Sequence, residues 1–304
     1  MTNTHLSLFQ QHRAHCFGLA YRMLGSKTEA EDILQETYER WHGQSLNSIE
    51  NAQAFLTTIV SRLCIDQLRK HQQRRHYIGS WLPEPLYDNE LSQAGPFETQ
   101  STYQSLSLAF LLLLEQLNPS ERAVFLLRET FDYSYQEISD IINKAPDNCR
   151  QLCRRAKLRL KENTEYQAIN DTINDTNNIQ QQQLLSSFLA CFGQQDLAQF
   201  QKILTDDISL ISDGGGKVQS VLRPLYGKER IIRFFKAIKK RGITQHLNIN
   251  IVLVNGKTSV LITSNNNERS LFTLECDHNK IQRVLIIRNP DKLPRHFNQP
   301  NRQP

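Results

Sequence analysis

Residues 134–161 read SYQEISDIINKAPDNCRQLCRRAKLRLK, and their spacing predicts two helices joined by a short turn. Ser134 and Glu137 fit a capping box, in which serine and glutamate satisfy each other's orphan backbone amides. Tyr135, Ile138, Ile141 and Ile142 then share one helical face. Asn143, Lys144 and Ala145 make the turn, and Pro146 opens the second helix, where a missing amide hydrogen does no harm. That helix repeats Cys149, Leu152, Cys153, Ala156 and Leu160 at i, i+3, i+4, i+7 and i+11, the pattern of a buried stripe. Its other face carries Asp147, Asn148, Arg150, Gln151, Arg154, Arg155, Lys157 and Arg159.

From Arg150 to Lys161 there are six basic residues and no acidic one. Polar residues near the start of such a helix reach base edges in the major groove, while its arginines grip phosphates. A solvated basic helix in an ordinary bundle is the competing reading. The turn, the cap and the one-sided charge together favour a DNA-binding helix-turn-helix. Ala145 departs from the pattern, since a capping serine is expected there. Cys149 and Cys153 have a spacing that suggests metal, but both fall on the apolar stripe with no further ligand near in sequence. A core role is expected for them, and His12, His15 and Cys16 meet the same objection. Neither a metal nor a cofactor is expected.

Around this motif the chain divides into blocks. At 304 residues it has room for about two or three domains. Its formal net charge of +5 says little by itself about partners. Residues 1–76 are periodic and helical, 77–104 read as a linker, and 105–163 are helical again with the helix-turn-helix at their end. Residues 164–183 are a polar tether, 184–295 change to helix followed by strands, and 296–304 read as a disordered tail. SKTE at 26–29 fits another capping box, and NPSE at 118–121 places proline at the first helical position. MTNTHLSLFQQHR lacks the apolar core of a signal peptide, and the longest apolar run, 108–114, is too short to cross a bilayer. A cytoplasmic location without membrane association is therefore expected, and the six scattered cysteines do not form a disulfide framework.

The first block narrows the function. In AEDILQETYERWH (30–42), Ala30, Leu34, Tyr38 and Trp41 face inward, and an acidic face including Asp32, Gln35 and Glu36 faces outward. AFLTTIVSRLCIDQLRKHQQRR (54–75) follows as an amphipathic helix ending strongly basic. At this point the chain resembles an extracytoplasmic-function sigma factor of bacterial RNA polymerase. LAYRMLGSKTEAEDILQETYERW and FLTTIVSRLCIDQLR are similar to the two parts of sigma region 2, and NPSERAVFLLRETFDYSYQEISDIINKAPDNCRQLCRRAKLRL to region 4. YIGSWLPEP (77–85), DGGGK (213–217) and NPDKL (289–293) resemble signatures of the subgroup with a fused SnoaL-like C-terminal extension.

The resemblance implies two all-α sigma domains followed by an α+β cone of SnoaL/NTF2-like fold. It implies that Asp32, Gln35 and Glu36 dock on the β′ clamp helices of core RNA polymerase. The loop 45–51, with Asn47 and Asn51, would capture a flipped base of the −10 element, with Arg62, Arg69, Lys70, Arg74 and Arg75 on the DNA backbone. Asn148, Arg150, Gln151, Arg154, Arg155 and Arg159 would face the −35 element. Core polymerase, through its β′ clamp helices and β flap, and promoter DNA are the implied partners. A monomeric free protein without a separate anti-sigma factor is the remaining expectation.

In the last block, strands are expected at 208–212, 218–222, 245–254, 258–263, 270–276 and 281–287, with a helix at 228–241, all on a curved antiparallel sheet. Three adjacent glycines lose much backbone freedom on folding, and a simple hairpin needs only one or two. Gly214, Gly215 and Gly216, flanked by Asp213 and Lys217, therefore read as a surface approached closely by another segment. By resemblance that partner is region 2 or the linker near Trp81 and Pro83, with Asn289, Pro290 and Asp291 reaching the same surface. Two other readings compete. One is a one-component helix-turn-helix regulator with a ligand-sensing cone. The other is a SnoaL-type isomerase or cyclase fused to a DNA-binding module, with Asp213 as general base beside Tyr226 or His246; fold alone does not decide for it.

Overall fold

Side-chain caps and apolar stripes set the helices of the N-terminal half. Gly25, at φ +66°, ends α1 (Thr4–Leu24) with its amide on the Tyr21 carbonyl, and Ser26 caps α2 (Lys27–His42). Asn51 precedes α3 (Ala52–His71), Ser107 caps α4 (Leu108–Leu114), and Asn118 and Glu121 close a capping box on α5 (Pro119–Glu129). A second box, Ser134 with Glu137, opens α6 (Tyr135–Ile142). Asn143 stops that helix in the left-handed conformation, and α7 (Pro146–Lys161) follows. The helix-turn-helix is thus formed as its sequence predicts, with all five stripe residues of α7 buried.

The computed structural model describes residues 4–46, 49–71, 77–87, 90, 106–161, 178–193, 197–240, 247–277 and 279–294. The chain forms two units: Met1–Arg75 with Pro85–Asp175, and His76–Glu84 with Thr176–Pro304.

In the first unit, one continuous apolar core runs from Phe9 of α1 to Leu160 of α7, so the two helical blocks pack as a single body. Polar contacts fasten them. Arg122 of α5, only 3% exposed, donates to the Met23 carbonyl at 2.7 Å and to Glu115 at 2.9 Å. Thr57 of α3 lies 3.1 Å from the Tyr133 hydroxyl, and His15 Nε2 of α1 lies 3.2 Å from Thr57 Oγ1 and 3.3 Å from Tyr133.

The second unit begins with α8 (Asn178–Gly193) and α9 (Leu197–Lys202). It continues through β1 (Leu204–Asp213), β2 (Leu225–Tyr226), α10 (Lys228–Lys240), β3 (Asn248–Val254), β4 (Lys257–Thr263), β5 (Arg269–Asp277) and β6 (Lys280–Ile287). The six strands lie in the order β2-β1-β6-β5-β4-β3. Bulges between Leu204 and Ser209 and between Glu275 and Cys276 break the register, and such breaks add twist. Phe188, Phe200, Phe235 and Phe272 pack between the helices and the sheet. This is the expected α+β cone. Asn255 and Gly256, both at positive φ, make the β3–β4 turn that NGK predicts.

Four features differ from expectation. Residues 218–222 are irregular, because Lys217 and Val218 turn back onto the Gly214 carbonyl and the place beside β1 goes to β2. The sheet is mixed, since β1 and β6 run parallel. Helix α8 begins at Asn178, inside the stretch read as a tether. Residues 76–84 of the linker belong to the cone.

Candidate nucleic-acid interface and linker clasp

Burial of its stripe leaves α7 with an exposed polar face. Asn148, Gln151, Arg154 and Arg155 stand exposed there, and neither arginine meets an acceptor among the described residues. Two of the six residues expected on the −35 element are held by protein instead. Arg150 turns back to Asp147 and lies 5.6 Å from the ring centre of Tyr135. Arg159 bonds Glu121 at 2.7 Å; that carboxylate is 1% exposed and also closes the α5 capping box, so Arg159 neutralises a buried charge. Burial pushes the thiol pKa values of Cys149 and Cys153 up, which keeps both as protonated core groups.

The residues expected on the −10 element also divide. Asn47 lies outside the described residues, as do Arg74 and Arg75. Asn51 is an N-cap, its Oδ1 accepting from the Ala54 amide at 3.0 Å. Arg62 donates from Nε to the Ile141 carbonyl at 2.8 Å and from Nη2 to that of Asp140 at 3.0 Å. It therefore satisfies the C-terminal end of α6, where cations are favoured. Arg69 pairs with Asp66 at 3.0 Å, and Lys70 is exposed. On α2, Asp32, Gln35 and Glu36 share one exposed face, and Glu36 accepts from Arg40 at 2.6 Å.

The cone builds a tighter site around Asp213. This residue ends β1 and is fully buried. Its Oδ1 accepts from the Tyr77 hydroxyl at 2.5 Å and the Gly215 amide at 2.9 Å. Its Oδ2 accepts from the Leu82 amide at 2.9 Å and Lys292 Nζ at 2.7 Å. Lys292 also donates to the Leu82 carbonyl at 2.5 Å and stands 4.6 Å from the ring centre of Trp81 and 5.3 Å from that of Tyr77. Asn289 donates to the Tyr77 hydroxyl at 3.1 Å, while the Arg288 and Asn289 amides bond the Asp213 carbonyl. Burial first, then the hydrogen bond to Asp213, push the Tyr77 pKa up and keep its hydroxyl a donor. Pro83 is buried, Pro290 is exposed, and Lys217 reaches Asp291 at the surface.

The three glycines have three separate reasons. A Cβ at Gly214 would stand 2.5 Å from both Ser220 Oγ and the Val218 carbonyl, and one at Gly215 2.4 Å from Asn289 Nδ2. One at Gly216 would come 3.0 Å from Ile78, and Gly215 and Gly216 also hold φ values of +60° and +71°. Of the two segments that sequence reasoning offered as partners for this loop, the linker is found in contact with it inside the cone. Tyr77 and Lys292, which complete the site, were not singled out. The signal for both was present, since each lies within a motif, but neither has a local pattern that marks it. Asp213 has both carboxylate oxygens engaged, Tyr226 is 57% exposed, and His246 lies outside the described residues.

The comparisons with known proteins agree with this arrangement. A family model described as Sigma-70 region 2 matches residues 8–75, and one described as Sigma-70, region 4 matches residues 107–160. The ECF RNA polymerase sigma factor SigJ of Mycobacterium tuberculosis is 30% identical over 254 residues, which span 83% of this chain and 79% of that protein. The probable ECF RNA polymerase sigma factor SigI of the same species is 34% identical over 157 residues, 51% of this chain and 53% of its own. The crystal structure of the Mycobacterium tuberculosis SigJ superposes with a TM-score of 0.74 at 25% identity, covering 94% of this chain and 97% of that one. No helix among the described residues is long and apolar enough to cross a membrane.

Proposed function

Since the chain belongs to the extracytoplasmic-function RNA polymerase sigma factors, non-enzymatic transcription-initiation factors that bind core polymerase and promoter DNA, we propose how its surfaces divide that work. The exposed face of α2, Asp32, Gln35 and Glu36, docks on the β′ clamp helices, where its acidic character complements a basic rim. The exposed residues of α7, Asn148, Gln151, Arg154 and Arg155, meet the −35 element, and region 4 rests on the β flap. Region 2 opens the −10 element, with Lys70 and Arg69 on the strand backbone. Arg62 joins them once it leaves the α6 carbonyls, so region 2 and region 4 move apart on promoter binding. The free protein is a monomer that works in the cytoplasm without a separate anti-sigma factor.

The cone regulates this separation. The observation that carries the reading is the Asp213 carboxylate, which accepts from both Tyr77 and the Leu82 amide of the segment linking the two regions. A cone that grips this connection limits how far the regions spread. Run-off transcription with core polymerase and a library of candidate promoters tests it, comparing the full chain with Asp213→Asn and with Lys292→Met. Promoter-specific transcripts whose level changes in both variants support the reading. Transcripts at an unchanged level would reduce the clasp to a stability element. A folded chain that never binds core polymerase would overturn the surface assignments.

A further inference from the structure

The concave side of the sheet holds a cavity of about 190 Å³ beneath α10. Phe234 of α10, Ile262 of β4, Phe272 of β5 and Ile286 of β6 give it apolar walls, and Ser212, Ser264 and Ser270 add polar groups to the lining. Arg288 also lines it. One end of this guanidinium is engaged: Nη2 donates to Glu268 at 2.7 Å and Nη1 donates to the Gln219 carbonyl. Its Nε is buried and meets no acceptor among the described residues. A buried donor left unmet carries its full desolvation penalty, so the site lacks one oxygen.

We propose that this cavity binds a small uncharged organic molecule with an apolar ring or chain and a carbonyl-type oxygen, the oxygen accepting from Arg288 Nε. Size sets the first limit. A dry apolar cavity of about 150 Å³ admits benzene, so this one takes a single ring with a short oxygenated substituent. Charge sets the second. Glu268 already balances the guanidinium, so an incoming carboxylate would have to compete with it, whereas a ketone, ester or amide oxygen adds no charge. The serine hydroxyls serve as further donors, each able to rotate toward the ligand. The position of the cavity gives binding an outlet. Ser212 and Arg288 line it, while their neighbours Asp213 and Asn289 hold residues 77–84, so the same two backbone strands border both sites.

Fluorine NMR on the full chain tests the proposal, using 4′-fluoroacetophenone against 1-ethyl-4-fluorobenzene, which lacks the acceptor, and 4-fluorobenzoate, which adds a charge. The ketone is expected to bind about tenfold more tightly than the hydrocarbon, the worth of one well-placed hydrogen bond, and the benzoate least. Arg288→Met should bring the ketone down to the hydrocarbon's affinity while leaving the hydrocarbon's own unchanged, which an unfolded variant would not do. Val221→Trp fills the cavity from its half-buried rim and should abolish binding of both. Equal binding of ketone and hydrocarbon, tighter binding of the benzoate, no binding at all, or binding that survives Val221→Trp would each overturn the proposal. None of these readings involves polymerase, so they stand or fall apart from the transcription result.

Discussion

The contacts that fasten region 2 to region 4 differ in kind from those that hold residues 77–84 in the cone. The first set uses an exposed arginine on carbonyl oxygens and a cluster of neutral side chains around His15. The second closes a fully buried carboxylate with four donors, one of them an ammonium group. A neutral or exposed hydrogen bond contributes about 1 kcal/mol net, so the first set can be released piece by piece. A buried charge pair is different: removing one partner strands the other, at about 3–5 kcal/mol. The helical joint is graded and the cone's grip is all-or-none.

Asp213→Ala should show the largest effect. It strands the Lys292 ammonium, the Tyr77 hydroxyl and the Leu82 amide, and about 3 kcal/mol corresponds to a little over a hundredfold in opening. Hydrogen exchange by mass spectrometry, read on peptides covering 77–87, should speed up accordingly while α5 peptides stay as they were. Gly215→Ala sharpens the same point at about 2 kcal/mol, because the new Cβ meets Asn289 at 2.4 Å on top of left-handed strain. Gly227→Ala is its control: φ is +87° but nothing lies within 4 Å, so only the strain of about 1 kcal/mol remains. Thermal unfolding of the two variants should rank them in that order.

The helical joint should respond to pH. Burial, then His12 and Arg22, lower the His15 pKa from 6.5 to about 4. The folded state keeps this imidazole neutral while the unfolded chain protonates it. Its contribution is therefore complete above pH 6.5 and is lost as pH falls toward about 4. The loss is on the order of 2 kcal/mol, visible as faster exchange in α3 and α6, and His15→Gln should flatten the profile. Arg62→Ala should give the smallest effect, about 1 kcal/mol, since it removes exposed bonds to the α6 carbonyls. Urea denaturation followed by exchange in residues 135–142 measures it.

The sequence carried the helix-turn-helix in full, because capping boxes and a 3.6-residue stripe are local signals. It also placed five of the six strands, each near its observed bounds. What it missed depends on distant partners. The irregular course of 218–222 is dictated by a backbone turn onto Gly214, and the parallel pairing of β1 with β6 joins segments far apart in the chain. Arg159 and Asn51 have the composition of DNA-binding residues but serve Glu121 and the start of α3. Lys292 reads as an ordinary surface lysine until Asp213 and Trp81 surround it.

The order of synthesis gives the clasp a timescale. Leu82 is made 131 residues before Asp213 and 210 before Lys292. At about 5–20 residues per second, residues 77–84 wait roughly ten to forty seconds for the rest of their fold. Both promoter-binding regions leave the ribosome in that interval, when the segment between them has nothing to hold it. Each new molecule therefore begins unrestrained and acquires its restraint only as translation nears its last residues.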